Sequence, residues 1–124
     1  MLQHIALEIR EKDLQDFYIE VLEGTVENRT ALKEKDAYDI FQINSEVPVY
    51  FLKIKNITFE LFVNEAIERK SFQHVCILHD NVLQIHQKAN ENGYWTFLRR
   101  KEKVNTSFIR DNNGNLFEIK NVKN

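Results

Sequence analysis

A single cysteine, Cys76, excludes an intrachain disulfide framework and fits a reducing compartment. No apolar run is long enough to span a bilayer, and no basic-then-apolar stretch opens the chain. The cytoplasm is therefore the expected location, with no membrane partner. Neither charge sign dominates: the formal net charge is −2, which gives no reason to expect nucleic acid as a partner. The basic run Arg99-Arg100-Lys101-Glu102-Lys103 is interrupted by Glu102 and reads as a solvated hairpin end. No Gly-rich phosphate loop, CxxC pair or GxSxG elbow occurs, so phosphate-cradling, dithiol and serine-hydrolase chemistries lack a foothold. The three N-glycosylation sequons, at Asn28, Asn56 and Asn105, read as chance.

What the chain does contain is an internal repeat. Leu2-Gln3-His4-Ile5-Ala6-Leu7 is echoed by Phe72-Gln73-His74-Val75-Cys76-Ile77, each a His leading into an apolar strand. Ile57-Thr58-Phe59-Glu60-Leu61-Phe62-Val63 is answered by Leu116-Phe117-Glu118-Ile119, each placing Glu after Phe within an apolar strand. Each half thus opens on a His strand and closes on a Glu strand. At 124 residues with 43% hydrophobic content, the chain suits one domain with a real core. It divides into module one (1–64), a polar linker (65–71) and module two (72–124).

Taken in order, residues 2–9 alternate as a strand with Ile5, Leu7 and Ile9 on one face and His4, Ala6 and Glu8 on the other. Asp13 is a plausible N-cap for a helix to about Leu22, with Gly24 as its C-terminal stop. A second strand covers 25–32. Ala37, Ile40 and Phe41 mark a short helix within 36–47, closed by Pro48. Strands at 49–54 and 57–63 form a hairpin around Lys55-Asn56. The second half replays this order more briefly: strand 72–78, helix 81–92 ended by Gly93, and strands 95–99, 107–110 and 116–121. Asn112-Asn113-Gly114-Asn115 is turn chemistry. Strand, helix, then three strands in each half describes an α+β protein with an open, antiparallel curved sheet and helices on one side.

A lone His in an apolar strand is more often a core or surface residue than a ligand. Glu60 is less ordinary: Ile57, Phe59, Leu61 and Val63 surround it, so it points away from that core. An enclosed carboxylate must be paired, protonated or metal-bound, and the same holds for Glu118. Two His and two Glu at matched places suit one divalent ion, with Zn, Ni, Co, Mn and Fe(II) all compatible. Cys76 shares the face of His74 but lacks a second thiol or a base, and reads as a small apolar filler. His79 and His86 read as surface residues.

These segments resemble the vicinal oxygen chelate superfamily of glyoxalases, bleomycin-resistance proteins and extradiol dioxygenases. His4 to Ile9, then Asp16-Phe17-Tyr18 and Val21-Leu22-Glu23-Gly24, resemble its opening strand and helix. Phe108 to Ile119 resembles its closing Asp-Pro-Asp-Gly-Asn…Glu-Leu motif, with Asn112-Asn113 where Pro-Asp is usual. The resemblance covers essentially the whole chain and implies two βαβββ modules forming an open barrel around one metal. It implies His4, Glu60, His74 and Glu118 as ligands. The two-His, two-Glu set is that of bacterial-type glyoxalase I, lactoylglutathione lyase. Sequestering relatives usually lack these ligands, and fosfomycin-modifying and extradiol enzymes use two His and one Glu. It further implies a homodimer, a small α-hydroxycarbonyl or thiol hemithioacetal as substrate, and an enediolate with Glu60 or Glu118 as base. A binding or sequestering protein of the same fold is the alternative.

Trp95 is expected to help wall the pocket. Glu8 lies on the face of His4, roughly 13 Å along the strand, where glyoxalase I places an Arg that pairs with glutathione. Asn64 matches the family's second glutathione contact, and Lys120 is placed to neutralise Glu8 in part. A carboxylate facing a carboxylate costs binding, so the glutathione–methylglyoxal hemithioacetal is expected to be a poor substrate. Assay of the protein loaded with Ni, Co, Mn or Zn checks this: a kcat/KM at or above about 10⁵ M⁻¹s⁻¹ overturns it.

Overall fold

The computed structural model describes residues 1–122, so the expected end of module two at 124 lies outside the described residues. The first half runs β1 (Ile5–Ile9), α1 (Glu11–Asp13, continued by a π-helical Leu14–Ile19), β2 (Thr25–Leu32), α2 (Glu34–Phe41), β3 (Val47–Ile54) and β4 (Ile57–Val63). The second runs β5 (His74–His79), α3 (Val82–Glu91), β6 (Trp95–Lys101), β7 (Val104–Arg110) and β8 (Leu116–Asn121). Each half forms a four-stranded sheet, ordered β1-β4-β3-β2 and β5-β8-β7-β6, and neither closes. The repeat therefore produces two βαβββ modules. Among the described residues no helix is long and apolar enough to cross a membrane.

The sheets are mixed, which corrects the antiparallel expectation. β1 runs parallel to β4 and β5 parallel to β8, while the other neighbours are antiparallel. A helix returns the chain between the first and second strands, and two reversals then lay the last strand beside the first in the same direction.

The modules share one core. Phe17, Leu52, Phe59 and Leu61 from the first meet Ile85, Ile109, Phe117 and Ile119 from the second, all 1% exposed or less. Phe117 lies 5.8 Å from Phe17 and 6.1 Å from Phe59, ring centre to ring centre. Burying each such ring contributes on the order of 1.5–3 kcal/mol. The core-facing sides of the two sheets thus meet.

Two buried aspartates lock this arrangement. Asp13 is no N-cap. It is fully buried and accepts hydrogen bonds from Tyr94 Oη and from the Asn112 backbone and side-chain nitrogens, each at 2.7 Å. Asp111 accepts from Tyr18 Oη at 2.6 Å, from the amides of Asn113 and Asn115, and from Asn115 Nδ2. Burial pushes the Asp111 carboxyl above its ordinary range, and the bonds from Tyr18 and Asn115 draw it back only in part. The 111–115 turn also grips the first module, through Asn115 Nδ2 to Glu8 O and Asn113 Nδ2 to Asn64 O.

Other local expectations shift. The left-handed residue after the first helix is Glu23 (φ 61°), not Gly24. A Cβ at Gly24 would meet Leu52 Cδ2 at 2.7 Å and Tyr18 O at 2.8 Å, so close approach explains that glycine. α2 stops at Gln42 (φ 59°), and Pro48 lies within β3 rather than ending the helix. β5 starts at His74, while β6 and β7 are longer than expected and meet at Glu102-Lys103. His79 and His86 are not free surface residues: His79 Nε2 pairs with Glu23 at 2.8 Å, and His86 Nδ1 with buried Ser107 at 2.7 Å.

Asp13→Ala leaves the Tyr94 hydroxyl and the Asn112 amide without their acceptor. Denaturant unfolding should show a loss of about 3 kcal/mol or more, against a change within about 0.5 kcal/mol for exposed Glu27→Ala. Equal effects would remove the clasp assignment.

Candidate metal centre

Strand alternation delivers the four expected ligands to the outward faces. In β4, Phe59 and Leu61 are fully buried and Glu60 between them faces out. In β8, Phe117 and Ile119 do the same for Glu118. Glu60 lies between Ala6 and Phe51 on its neighbouring strands, and Glu118 between Cys76 and Phe108. The two aromatic neighbours thus occupy equivalent places, a match that the differing repeat lengths conceal in the sequence.

Each His reaches its Glu. His4 Nε2 lies 3.3 Å from Glu60 Oε1, and His74 Nε2 lies 3.2 Å from Glu118 Oε1. Adjacent donors about 2.1 Å from one ion are separated by about 3.0 Å in octahedral and 3.4 Å in tetrahedral geometry, so both pairs fit a shared divalent ion. His74 Nδ1 sits 2.9 Å from the Phe72 carbonyl. Donation there leaves the Nε2 lone pair free for a metal, the usual support for a ligating imidazole.

One chain does not bring the pairs together. Among the described residues no three His, Cys, Asp or Glu side chains converge on a metal position. The four expected ligands thus lie as two separate His–Glu pairs, one on each sheet.

Lys120 does not neutralise Glu8. Its Nζ lies 3.4 Å from Glu118 Oε2, because residues two apart share a sheet face. Glu8 is met instead by Arg69 of the linker at 3.7 Å and accepts from Asn64 Nδ2 at 3.1 Å. Sequence reasoning missed Arg69, which a chain crossing rather than a strand pattern delivers. Asn64 Oδ1 accepts from the Ala66 amide, so both polar ends of that side chain are engaged. Trp95 is 54% exposed on the outward face of β6, with the Arg110 guanidinium 5.6 Å over its ring. Cys76 is exposed rather than filling a gap. Partial burial and the nearby Glu118 carboxylate push its thiol up, which opposes thiolate reactivity.

A cavity of about 720 Å³ lies where the modules join, and Phe41, Phe62, Glu8, Asn64, Arg69 and His74 are among its walls. It is of the size that small-molecule sites occupy. α2 roofs part of it, with Phe41 packed edge-on against Phe62 at 5.5 Å.

No family model matches the chain, and no curated protein matches it significantly. Solved structures do. The chain is similar to the fosfomycin resistance protein FosX of Listeria monocytogenes, crystallised with Mn(II) and sulfate: TM-score 0.75, 13% identity, covering 99% of this chain and 93% of that one. FosX of Mesorhizobium loti gives TM-score 0.72 at 13% identity, covering 99% and 92%. A glyoxalase family protein from Enterococcus faecalis gives TM-score 0.72 at 20% identity, covering 97% and 96%. With two open βαβββ sheets and these neighbours, the chain has the vicinal oxygen chelate fold.

Proposed function

We propose that the protein is a metal-dependent lyase or isomerase of glyoxalase I type, with each site completed by a second copy of the chain. The observation that carries this reading is the pair of half-sites, each with an imidazole nitrogen and a carboxylate oxygen at ligand spacing but turned apart. His4 and Glu60 of one copy with His74 and Glu118 of another give two neutral and two anionic donors, which balance a divalent charge. Leu78, Trp95 and Phe97 are each more than half exposed on the outward face of the second module, an apolar surface that a partner would cover.

A bound divalent ion supplies Lewis-acid stabilisation of the enediolate charge. The protein's part is to position the substrate's carbonyl and adjacent hydroxyl oxygens, and to move a proton. Glu60 or Glu118 takes the proton from the carbon bearing one oxygen and returns it to the neighbouring carbon. The electron pair shifts within the substrate and the hydroxyl proton passes to the former carbonyl oxygen, so no external oxidant or reductant is needed. The engagement of both polar ends of Asn64, together with the carboxylate at position 8, supports a substrate other than the glutathione adduct. The 720 Å³ cavity favours one second reading, sequestration of a small molecule without turnover.

Metal content separates the two. The catalytic reading expects about one divalent ion per chain and a lower melting temperature on chelation. The double variants His4→Ala/Glu60→Ala and His74→Ala/Glu118→Ala should each lose the ion, and unfolding and refolding them together should restore a fraction of the sites. No restoration would exclude the shared site. Glu60→Gln and Glu118→Gln should lower turnover of any substrate found by about 10²-fold or more for whichever carries the proton. Wild-type turnover in both would exclude the role.

A further inference from the structure

The strand registers set the outward face of the second module in rows. One holds Cys76, Glu118, Phe108 and Phe97, and the next along the strands holds Leu78, Lys120, Thr106 and Arg99. The corresponding row of the first module reads Glu8, Phe62, Val49 and Thr30 and carries no cation. The fold therefore does not require two positive charges there. Rows two residues apart along a strand are separated by about 7 Å, yet the flexible Lys120 side chain folds back to place Nζ 3.4 Å from Glu118 Oε2. Arg99 is exposed and forms no salt bridge among the described residues.

We infer that Lys120, assisted by Arg99, forms a receptor for an anionic group of the substrate, a carboxylate or phosphonate borne close to the metal-bound oxygens. This rests on the metal-centre reading above, through its charge balance. Two carboxylates and two neutral imidazoles offset a divalent ion, so Glu118 has no charge left for Lys120 once it is a ligand. An ammonium group beside that centre, 46% exposed, is then met only by water until an anion enters with the substrate and forms a charge-assisted pair with it. Glu8 cannot serve, being paired with Arg69. Nζ lies 3.4 Å from Glu118 Oε2, on the same carboxylate whose Oε1 faces His74, so an anion carried next to the chelating oxygens of a substrate would fall within reach of the flexible Lys120 side chain. The substrate class is thus a small hydroxy or oxo acid rather than a neutral hydroxyketone.

The test titrates the Mn(II)-loaded protein calorimetrically with glycerate, 2-hydroxyethylphosphonate and neutral hydroxyacetone. Lys120→Met should weaken at least one acid probe tenfold or more, and Arg99→Gln should weaken it less. Both should leave hydroxyacetone binding and Mn(II) affinity unchanged. The acid probe that responds identifies the anion. Undiminished acid binding in Lys120→Met overturns the inference, as does a parallel loss of Mn(II) affinity, which would confine Lys120 to supporting Glu118. If the wild type takes up no Mn(II), the metal reading fails by itself, and the receptor is judged on the metal-free protein by NMR. Shifts of the Lys120 and Arg99 signals with either acid would support the receptor, and their absence would overturn it.

Discussion

Two buried carboxylates, Asp13 and Asp111, hold the first helix of one module against the closing turn of the other. Each is costly to bury and tolerable only because several donors converge on it. Those donors come from both modules: Tyr18 on α1, Tyr94 before β6, and the turn itself. The clasp and the aromatic cluster around Phe117 set the sheets back to back. That arrangement decides which side chains face out. Side chains pointing into the shared core are apolar, and those pointing out carry His4, Glu60, His74 and Glu118.

Much of this was legible in the chain. Period-two alternation around Glu60 and Glu118 needs no tertiary information, because neighbouring apolar residues can face only one core. The matched His strands placed His4 and His74 at equivalent points by symmetry, and the hairpin at Lys55-Asn56 and the final strand at 116–121 followed from local pattern. What escaped depended on distant partners. Asp13 has the local signature of a cap, and only Tyr94 and Asn112, some eighty to a hundred residues on, make it a core acceptor. Arg69 lies in a stretch without periodicity, and its meeting with Glu8 is set by where the linker crosses. Lys120 shows the reverse: its partner Glu118 is two residues away, and the same alternation rule could have found it.

The two modules have kept their frame and diverged in decoration. Phe51 and Phe108 stand in the same place beside Glu60 and Glu118, and both His–Glu pairs have nearly equal spacing. The first module adds α2 over its outward face, while the second leaves Trp95 and Phe97 open and adds cations. The two outward faces are thus unlike, one roofed and one charged, around near-symmetric His–Glu pairs.

At Gly114 (φ 90°) the linker passes so close that a Cβ would overlap the Arg69 carbonyl oxygen, and the Arg69 amide is tied to Asn113 O at 3.0 Å. The crossing therefore acts as a weld rather than a hinge. One absent methyl group thus sets where the linker between the two modules crosses the closing turn.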